Sequence, residues 1–139
     1  MKKLIFSVSI LFATTATAQL KIQETAKDTV IWQSSKLSSV PKLIRFNIDS
    51  TYSYTLYYKN EKYSSITDID YVTTGDEATT KQFFELLFEI VEKNTEYNID
   101  LDGKSWYIKK TGSAVMVFSH YTYFYLDQKQ IESILTKFK

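Results

Sequence analysis

The feature that most constrains the fold is a series of short segments rich in tyrosine and β-branched residues, separated by tight-turn signals. The chain has 11 Tyr and 9 Phe but only 3 Gly and 1 Pro, and aromatic and β-branched residues favour strands. Asp102-Gly103 is the strongest turn signal, because both central residues of a type I′ turn take positive φ. Short turns join antiparallel neighbours, so the sequence predicts β-meanders.

Three other residue pairs punctuate the strand-forming segments in the same way: Asp49-Ser50, Asn60-Glu61 and Thr111-Gly112. A further turn is expected near His120-Tyr121. We therefore expect about five to seven strands in the main part of the chain. They are predicted at residues 43–48, 51–59, 62–73, 96–101, 104–110, 113–119 and 123–126, with a further short strand at 29–32.

Two segments show helical spacing of apolar residues. The first helix is predicted over about residues 80–93, where Thr79 and Gln82 fit a capping box. Its apolar arc is wider than that of an ordinary surface helix. We expect a sheet and a second helix to cover this arc, or alternatively a partner subunit. The arc consists of Phe83, Phe84, Leu86, Leu87, Phe88, Ile90 and Val91.

The second helix is predicted over about residues 128–137, with Asp127 as its N-cap and Gln130 in the capping-box position. Its apolar residues recur at helical spacing from Ile131 to Phe138. Strands, helix, strands and helix in this order predict an α+β fold. We expect a two-layer arrangement in which both helices lie on one face of an antiparallel sheet.

The N-terminus has the three parts of a bacterial-type signal peptide: Lys2-Lys3, the apolar stretch 4–13, and Ala16-Thr17-Ala18. An apolar stretch of about 10 residues is too short for a bilayer-spanning helix, which needs about 20. We therefore expect residues 1–18 to be cleaved and the protein to be exported, to the periplasm or the exterior, with no membrane span afterwards. Residues 19–41 are then a loosely ordered segment, and 42–139 form one domain.

Composition excludes several partner classes. Cleavage leaves 121 of the 139 residues and lowers the formal net charge from +1 to −1, because Lys2 and Lys3 are removed. A mixed, nearly neutral surface offers no basic patch for nucleic acid or anionic lipid. The chain has no cysteine, so disulfides cannot supplement its core. The mature domain must be stabilised by burial alone.

Motifs for metals and cofactors are incomplete. Residues 98–103 resemble the start of a calcium loop, but Lys109 occupies the position of the closing carboxylate. This segment is better interpreted as a strand and a hairpin turn. His120 is the only histidine, too few for a zinc site, and the three glycines are too far apart for a phosphate loop. We expect no metal and no cofactor.

Candidate catalytic groups are sparse. Ser119 and His120 are neighbours along a strand, so their side chains should point to opposite faces. Asp68 and Asp70 share a face if that segment is extended, and paired carboxylates can act as acid and base. A small exported hydrolase using these two residues is therefore the alternative function. Isolated surface carboxylates are more common, and we expect no enzymatic activity.

Tyrosines in two strands offer a contact surface. Tyr combines a rigid apolar ring with a polar tip, which suits a protein or glycan partner; the alternative is that these rings only cover the solvent side of a sheet. The sequence thus favours an exported, non-catalytic binding protein whose contact surface is this face or the first helix. A structural or inhibitory envelope protein that associates with a second copy is a further alternative. The tyrosines are Tyr52, Tyr54, Tyr58, Tyr121, Tyr123 and Tyr125.

Overall fold

A computed structural model describes residues 28–34, 40–62 and 68–139; the predicted signal peptide lies outside these ranges. Within them the chain forms eight strands and two helices. The strands are β1 (Thr29–Gln33), β2 (Lys42–Ile48), β3 (Thr51–Lys59), β4 (Ile69–Gly75), β5 (Glu96–Leu101), β6 (Lys104–Thr111), β7 (Ala114–Ser119) and β8 (Thr122–Asp127); the helices are α1 (Glu77–Lys93) and α2 (Gln128–Leu135), and a 3₁₀ turn follows at Thr136–Phe138.

The strands form two four-stranded antiparallel sheets, in the orders β1-β2-β3-β4 and β5-β6-β7-β8. The prediction of an α+β fold built from antiparallel meanders is confirmed. The strands are divided between two sheets, however, because α1 separates β4 from β5 and the chain then starts a second meander. Each meander is followed by a helix, so the order of elements repeats although the sequence does not. The predicted short strand at 29–32 is β1, which pairs with β2 in the first sheet.

Two hairpins have two-residue turns in which both residues take positive φ. The values are 48° and 67° at Asp49 and Ser50, and 54° and 68° at Asp102 and Gly103. This is the type I′ signature, whose twist matches that of the flanking strands. A two-residue turn allows only one alignment of the strands that it joins, so each of these turns fixes the register of its whole hairpin.

Each helix is capped by an aspartate at the end of a strand: Asp76 directly follows β4, and Asp127 is the last residue of β8. Asp76 accepts a hydrogen bond from the Thr79 backbone N–H at 2.8 Å, so α1 begins three residues earlier than predicted and Thr79 lies inside its first turn. Gly75 has φ +104° where the chain leaves β4, a conformation that L side chains rarely adopt. The predicted capping box of α2 is confirmed by reciprocal hydrogen bonds between Asp127 and Gln130.

A single hydrophobic core lies between the sheets and the helices. Alternate residues of β6, β7 and β8 face it, and α1 contacts β3 and β4 of the first sheet, β6 and β7 of the second, and α2. The apolar arc of α1 is covered within the chain: Phe83 is 5% exposed and Ile90 is 0% exposed. The chain itself therefore covers most of the arc without a partner subunit, and Leu86 and Phe88 are partly buried against the same core. Among the described residues, no helix is long and apolar enough to cross a bilayer.

The two sheets meet at the β5–β6 and β7–β8 turns of the second sheet. Asn60, at the end of β3, is 3% exposed. Its Nδ2 donates to the Tyr121 carbonyl oxygen at 3.2 Å, and its Oδ1 accepts from the Tyr123 N–H at 3.4 Å. The Asp102 carboxylate accepts from the Thr73 N–H at 3.2 Å. These contacts satisfy polar groups at the edges of β4 and β8 and hold the turns of the second sheet against the first.

Candidate functional site

The tyrosines predicted in β3 do not form one surface. Tyr54 and Tyr58 are 3% and 1% exposed, so the prediction that they contribute to a contact surface is wrong. Their side of β3 faces the core, where the Tyr58 ring stacks on Phe124 with centroids 4.1 Å apart. Tyr52 shares that side but is exposed at the start of the strand, with the Arg45 guanidinium carbon 4.4 Å from its ring centroid.

Tyr58 has a structural role at the junction of the sheets. Burial raises the pKa of its phenol well above the ordinary value, and nearby Asp70 contributes in the same direction. The hydroxyl accepts a hydrogen bond from Thr122 Oγ1 at 3.1 Å, which acts against this rise. A neutral, hydrogen-bonded phenol in the core stabilises the fold and is not accessible to a ligand.

The tyrosines predicted near β8 do lie on the surface. Thr122, Phe124 and Leu126 are buried, while Tyr123 and Tyr125 point to the opposite side, with ring centroids 5.8 Å apart. They lie on the outer face of the second sheet, the face directed away from the core. The alternation predicted for this segment therefore places these two rings side by side in the solvent-facing layer.

Tyr121 lies in the turn between β7 and β8 and is 71% exposed. Its ring meets that of His120 edge-on, with centroids 4.6 Å apart, and the Lys62 ammonium lies 5.2 Å from the Tyr121 ring centroid. The Tyr121 carbonyl oxygen accepts the hydrogen bond from Asn60. The buried Asn60 side chain thus holds the backbone at Tyr121 in place while the Tyr121 ring is exposed.

Sheet register adds two aromatic residues that the sequence prediction did not include. Tyr107 pairs with Phe118, and Phe118 pairs with Tyr123, so three strands place their rings in one row. The Phe118 and Tyr123 centroids are 6.5 Å apart, and Phe118 is 38% exposed. We call the four residues of this outer surface the aromatic face: Tyr107, Phe118, Tyr123 and Tyr125.

An open groove of about 510 Å³ lies at the turn end of this face. Side chains from β5, β6, β7 and the turn after β7 surround it. Two aromatic-face residues, Tyr107 and Phe118, line the groove. The other side chains relevant to its chemistry are Asn98, Lys104, Ser105, His120 and Tyr121.

Hydroxyl groups in the groove are oriented by carboxylates just outside its lining. Ser105 Oγ donates to Asp100 Oδ1 at 2.8 Å, and the Tyr107 hydroxyl donates to Glu96 Oε2 at 2.5 Å. The hydrogen bond to Glu96 also raises the pKa of Tyr107. With their protons directed to the carboxylates, both oxygens can accept hydrogen bonds from a ligand.

The candidate catalytic groups are used in structural contacts. Ser119 Oγ donates to the Ser105 carbonyl oxygen at 3.1 Å, so its proton is not directed to His120. Asp70 Oδ1 accepts from the Tyr71 N–H at 2.8 Å. Asp68 is exposed and precedes β4, and neither aspartate lines the groove. The Ser119 hydroxyl and the Asp70 carboxylate thus each make a contact within the fold.

The first sheet also has exposed rings on its outer face. Tyr57 and Tyr71 pair there with centroids 5.9 Å apart, and the Lys42 ammonium lies 5.7 Å from the Tyr57 ring centroid. Tyr71 is 54% exposed. This pair resembles the aromatic face in chemistry but does not line the groove, so it provides a matched comparison on the same molecule.

The turns could have revealed Tyr107 and Phe118 from the sequence. The turn at Asp102-Gly103 sets the partner of every residue in β5 and β6, and the turns after β6 and β7 extend that register across the sheet. A single motif does not contain this information. Comparison with known proteins adds no further assignment, since no family model, curated protein or solved structure matches this chain.

Proposed function

We propose that the protein is an exported binding module without catalytic activity, and that it contacts its partner through the aromatic face and the adjacent groove. The observation that carries this proposal is the row of rings at Tyr107, Phe118 and Tyr123, placed by sheet register on the solvent-facing side. Large exposed apolar surfaces with a polar rim are typical of interaction sites in soluble proteins.

Fold stability alone does not explain this surface. The opposite side of the same sheet already supplies the core, with Trp106, Ile108, Val117 and Phe124 each at most 2% exposed. Cross-strand pairs on a solvent-facing side contribute only about 0.2–1 kcal/mol each. Aromatic side chains on the outer face therefore contribute little to folding stability. They do supply the rigid contact area that is typical of binding surfaces.

Export is part of the proposal and rests on the predicted signal peptide at residues 1–18. The non-catalytic role is supported by the structural use of the Ser119 hydroxyl and the Asp70 carboxylate. An exported module of this kind would recognise its partner in the periplasm or outside the cell. The choice between a protein and a glycan partner depends on the chemistry of the groove.

The test uses the purified mature protein, residues 19–139, labelled and applied to a glycan array and to immobilised candidate envelope proteins. Binding should be lost in the variants Phe118→Ala and Tyr121→Ala. The control is Tyr71→Ala, which removes a ring of intermediate exposure from the first sheet (54%, against 38% for Phe118 and 71% for Tyr121) and should bind normally. All three variants should lose less than about 1 kcal/mol of unfolding free energy, since none of these rings is buried.

Two results would contradict the proposal. One is binding that disappears with Tyr71→Ala and persists in both variants of the second sheet. The other is no binding to any glycan or protein tested, together with catalytic turnover that depends on Asp68 or Asp70. The second result would restore the hydrolase alternative.

A further inference from the structure

The groove combines ring surfaces with polar groups that are available to a ligand. Asn98 and Lys104 line it, and neither side chain has a hydrogen-bond or ion-pair partner among the described residues. The amide of Asn98 can both donate and accept, and the ammonium of Lys104 donates. A ligand that satisfies this set must present several donors and acceptors next to an apolar surface.

The oriented hydroxyls add acceptors to the same small area. Ser105 and Tyr107 line the groove and direct their protons to Asp100 and Glu96, so their oxygens can act as acceptors for a ligand. A sugar matches this pattern, because its hydroxyl groups donate and accept while the C–H side of its ring packs on aromatic faces. Phe118 and the exposed Tyr121 supply those faces on one side of the groove.

Size also favours a sugar over a folded protein as the occupant. The groove measures about 510 Å³, within the range of about 300–1,000 Å³ that is usual for small-ligand sites. A stable protein interface buries about 800 Å² on each partner, which requires a contact surface that extends well beyond one groove. A short oligosaccharide would fill it and extend along the aromatic face.

Charge refines the class of sugar. Within the described part of the chain, Lys104 is the one groove-lining side chain with a permanent charge, and the lining contains no carboxylate. The carboxylates of Asp100 and Glu96 lie just outside the lining and accept hydrogen bonds from Ser105 and Tyr107, so an anionic group is disfavoured next to these two hydroxyls and is favoured only beside Lys104. Lys104 thus has the position and the free ammonium to pair with an anionic group on the ligand, in a charge-assisted hydrogen bond.

We infer that the groove binds an oligosaccharide containing a uronic acid, with the sugar ring packed on Phe118 and Tyr121 and its carboxylate paired with Lys104. This inference rests on the proposed function, since it names the ligand class for the same surface. It assigns separate tasks to the two kinds of residue. The rings provide affinity for any sugar of suitable shape, and Lys104 provides the preference for an acidic one.

The test is isothermal titration calorimetry of the mature protein with tri-galacturonic acid and with its methyl ester. The two probes have the same ring shape and differ in the charge of the carboxyl groups. The acid should bind about tenfold more tightly than the ester, as expected for one charge-assisted contact. Lys104→Met should reduce the affinity for the acid to that for the ester and leave the ester unchanged. Lys129→Met, at an exposed position on α2, should change neither.

Equal affinities for the acid and the ester, or a Lys104→Met variant that still prefers the acid, would overturn the inference. If tri-galacturonic acid does not bind, trimannuronic acid and a glucuronic-acid-containing hyaluronan tetrasaccharide take its place. Failure of all three probes also overturns it. The proposed function is tested separately. Binding of a neutral glycan or of a protein that requires Phe118 and Tyr121 would refute only the preference for an acidic sugar and would leave the proposed function intact.

Discussion

Asn60 is the residue on which the junction of the two sheets most depends, and replacing it with alanine should destabilise the whole domain. The side chain is 3% exposed and makes three hydrogen bonds: to the Tyr121 carbonyl oxygen and to the backbone N–H groups of Lys62 and Tyr123. Each contributes about 0.5–1.5 kcal/mol net, and a buried group left without a partner costs about 1–3 kcal/mol. Because the contact to the Tyr123 N–H is long, we expect a total loss of about 2–4 kcal/mol.

Urea unfolding followed by the fluorescence of Trp32 and Trp106 measures this loss. These tryptophans lie in β1 of the first sheet and β6 of the second, so both sheets are monitored. The control is Asn98→Ala, which deletes the same side chain at an exposed position and should change stability by less than about 0.5 kcal/mol. A loss for Asn60→Ala no larger than that of the control would refute the account of the junction.

Three further predictions concern charge and packing. Hydrogen bonds from Thr79 lower the pKa of Asp76 in the folded state. The stability that the ionised carboxylate adds is present above the ordinary pKa of Asp and is lost as the pH falls through the lowered value. The free energy of unfolding, measured in urea, should therefore fall more for wild type than for Asp76→Asn below about pH 4. Burial raises the pKa of Tyr58, so the contribution of the neutral phenol to folding stability is present below about pH 10 and is lost at higher pH. The urea midpoint of Tyr58→Phe should therefore decline less steeply at alkaline pH than that of wild type. Phe124→Ala should cost about 3–5 kcal/mol and Phe118→Ala less than about 1 kcal/mol; similar losses in urea unfolding would mean that the two sides of the sheet are misassigned.

Much of the strand pattern follows from the sequence because its turns are chemically explicit. The predicted bounds of the strands at 51–59 and 96–101 coincide with β3 and β5. The division into two sheets does not follow from such local signals. It depends on α1 reaching strands of both sheets, which is a property of tertiary packing.

The same distinction separates the predicted tyrosines that lie on the surface from those that lie in the core. Alternation predicts that Tyr54 and Tyr58 share a side of β3, but it does not say which side the helices cover. In β8 the buried partners Thr122 and Phe124 define the core side, which leaves Tyr123 facing outward. Strand alternation shows which side chains share a side of the strand. Only the packing of the whole domain determines which side faces the core and which faces solvent.

The early start of α1 has an equally local cause. Both Asp76 and Thr79 are good N-cap residues, and they lie three positions apart. Gly75 decides between them, because its positive φ ends β4 immediately before Asp76. The Asp76 side chain then caps the Thr79 N–H and places Thr79 in the first turn of the helix.

The most direct test of the central claim, that the aromatic face and its groove form the binding surface, is chemical-shift mapping of the ¹⁵N-labelled mature protein titrated with tri-galacturonic acid. We predict that the backbone amide signals of Asn98, Lys104, Phe118 and Tyr121 shift progressively with ligand concentration, while those around Tyr71 on the first sheet do not move. Shifts confined to the first sheet would contradict the claim. So would shifts centred on Asp68 and Asp70.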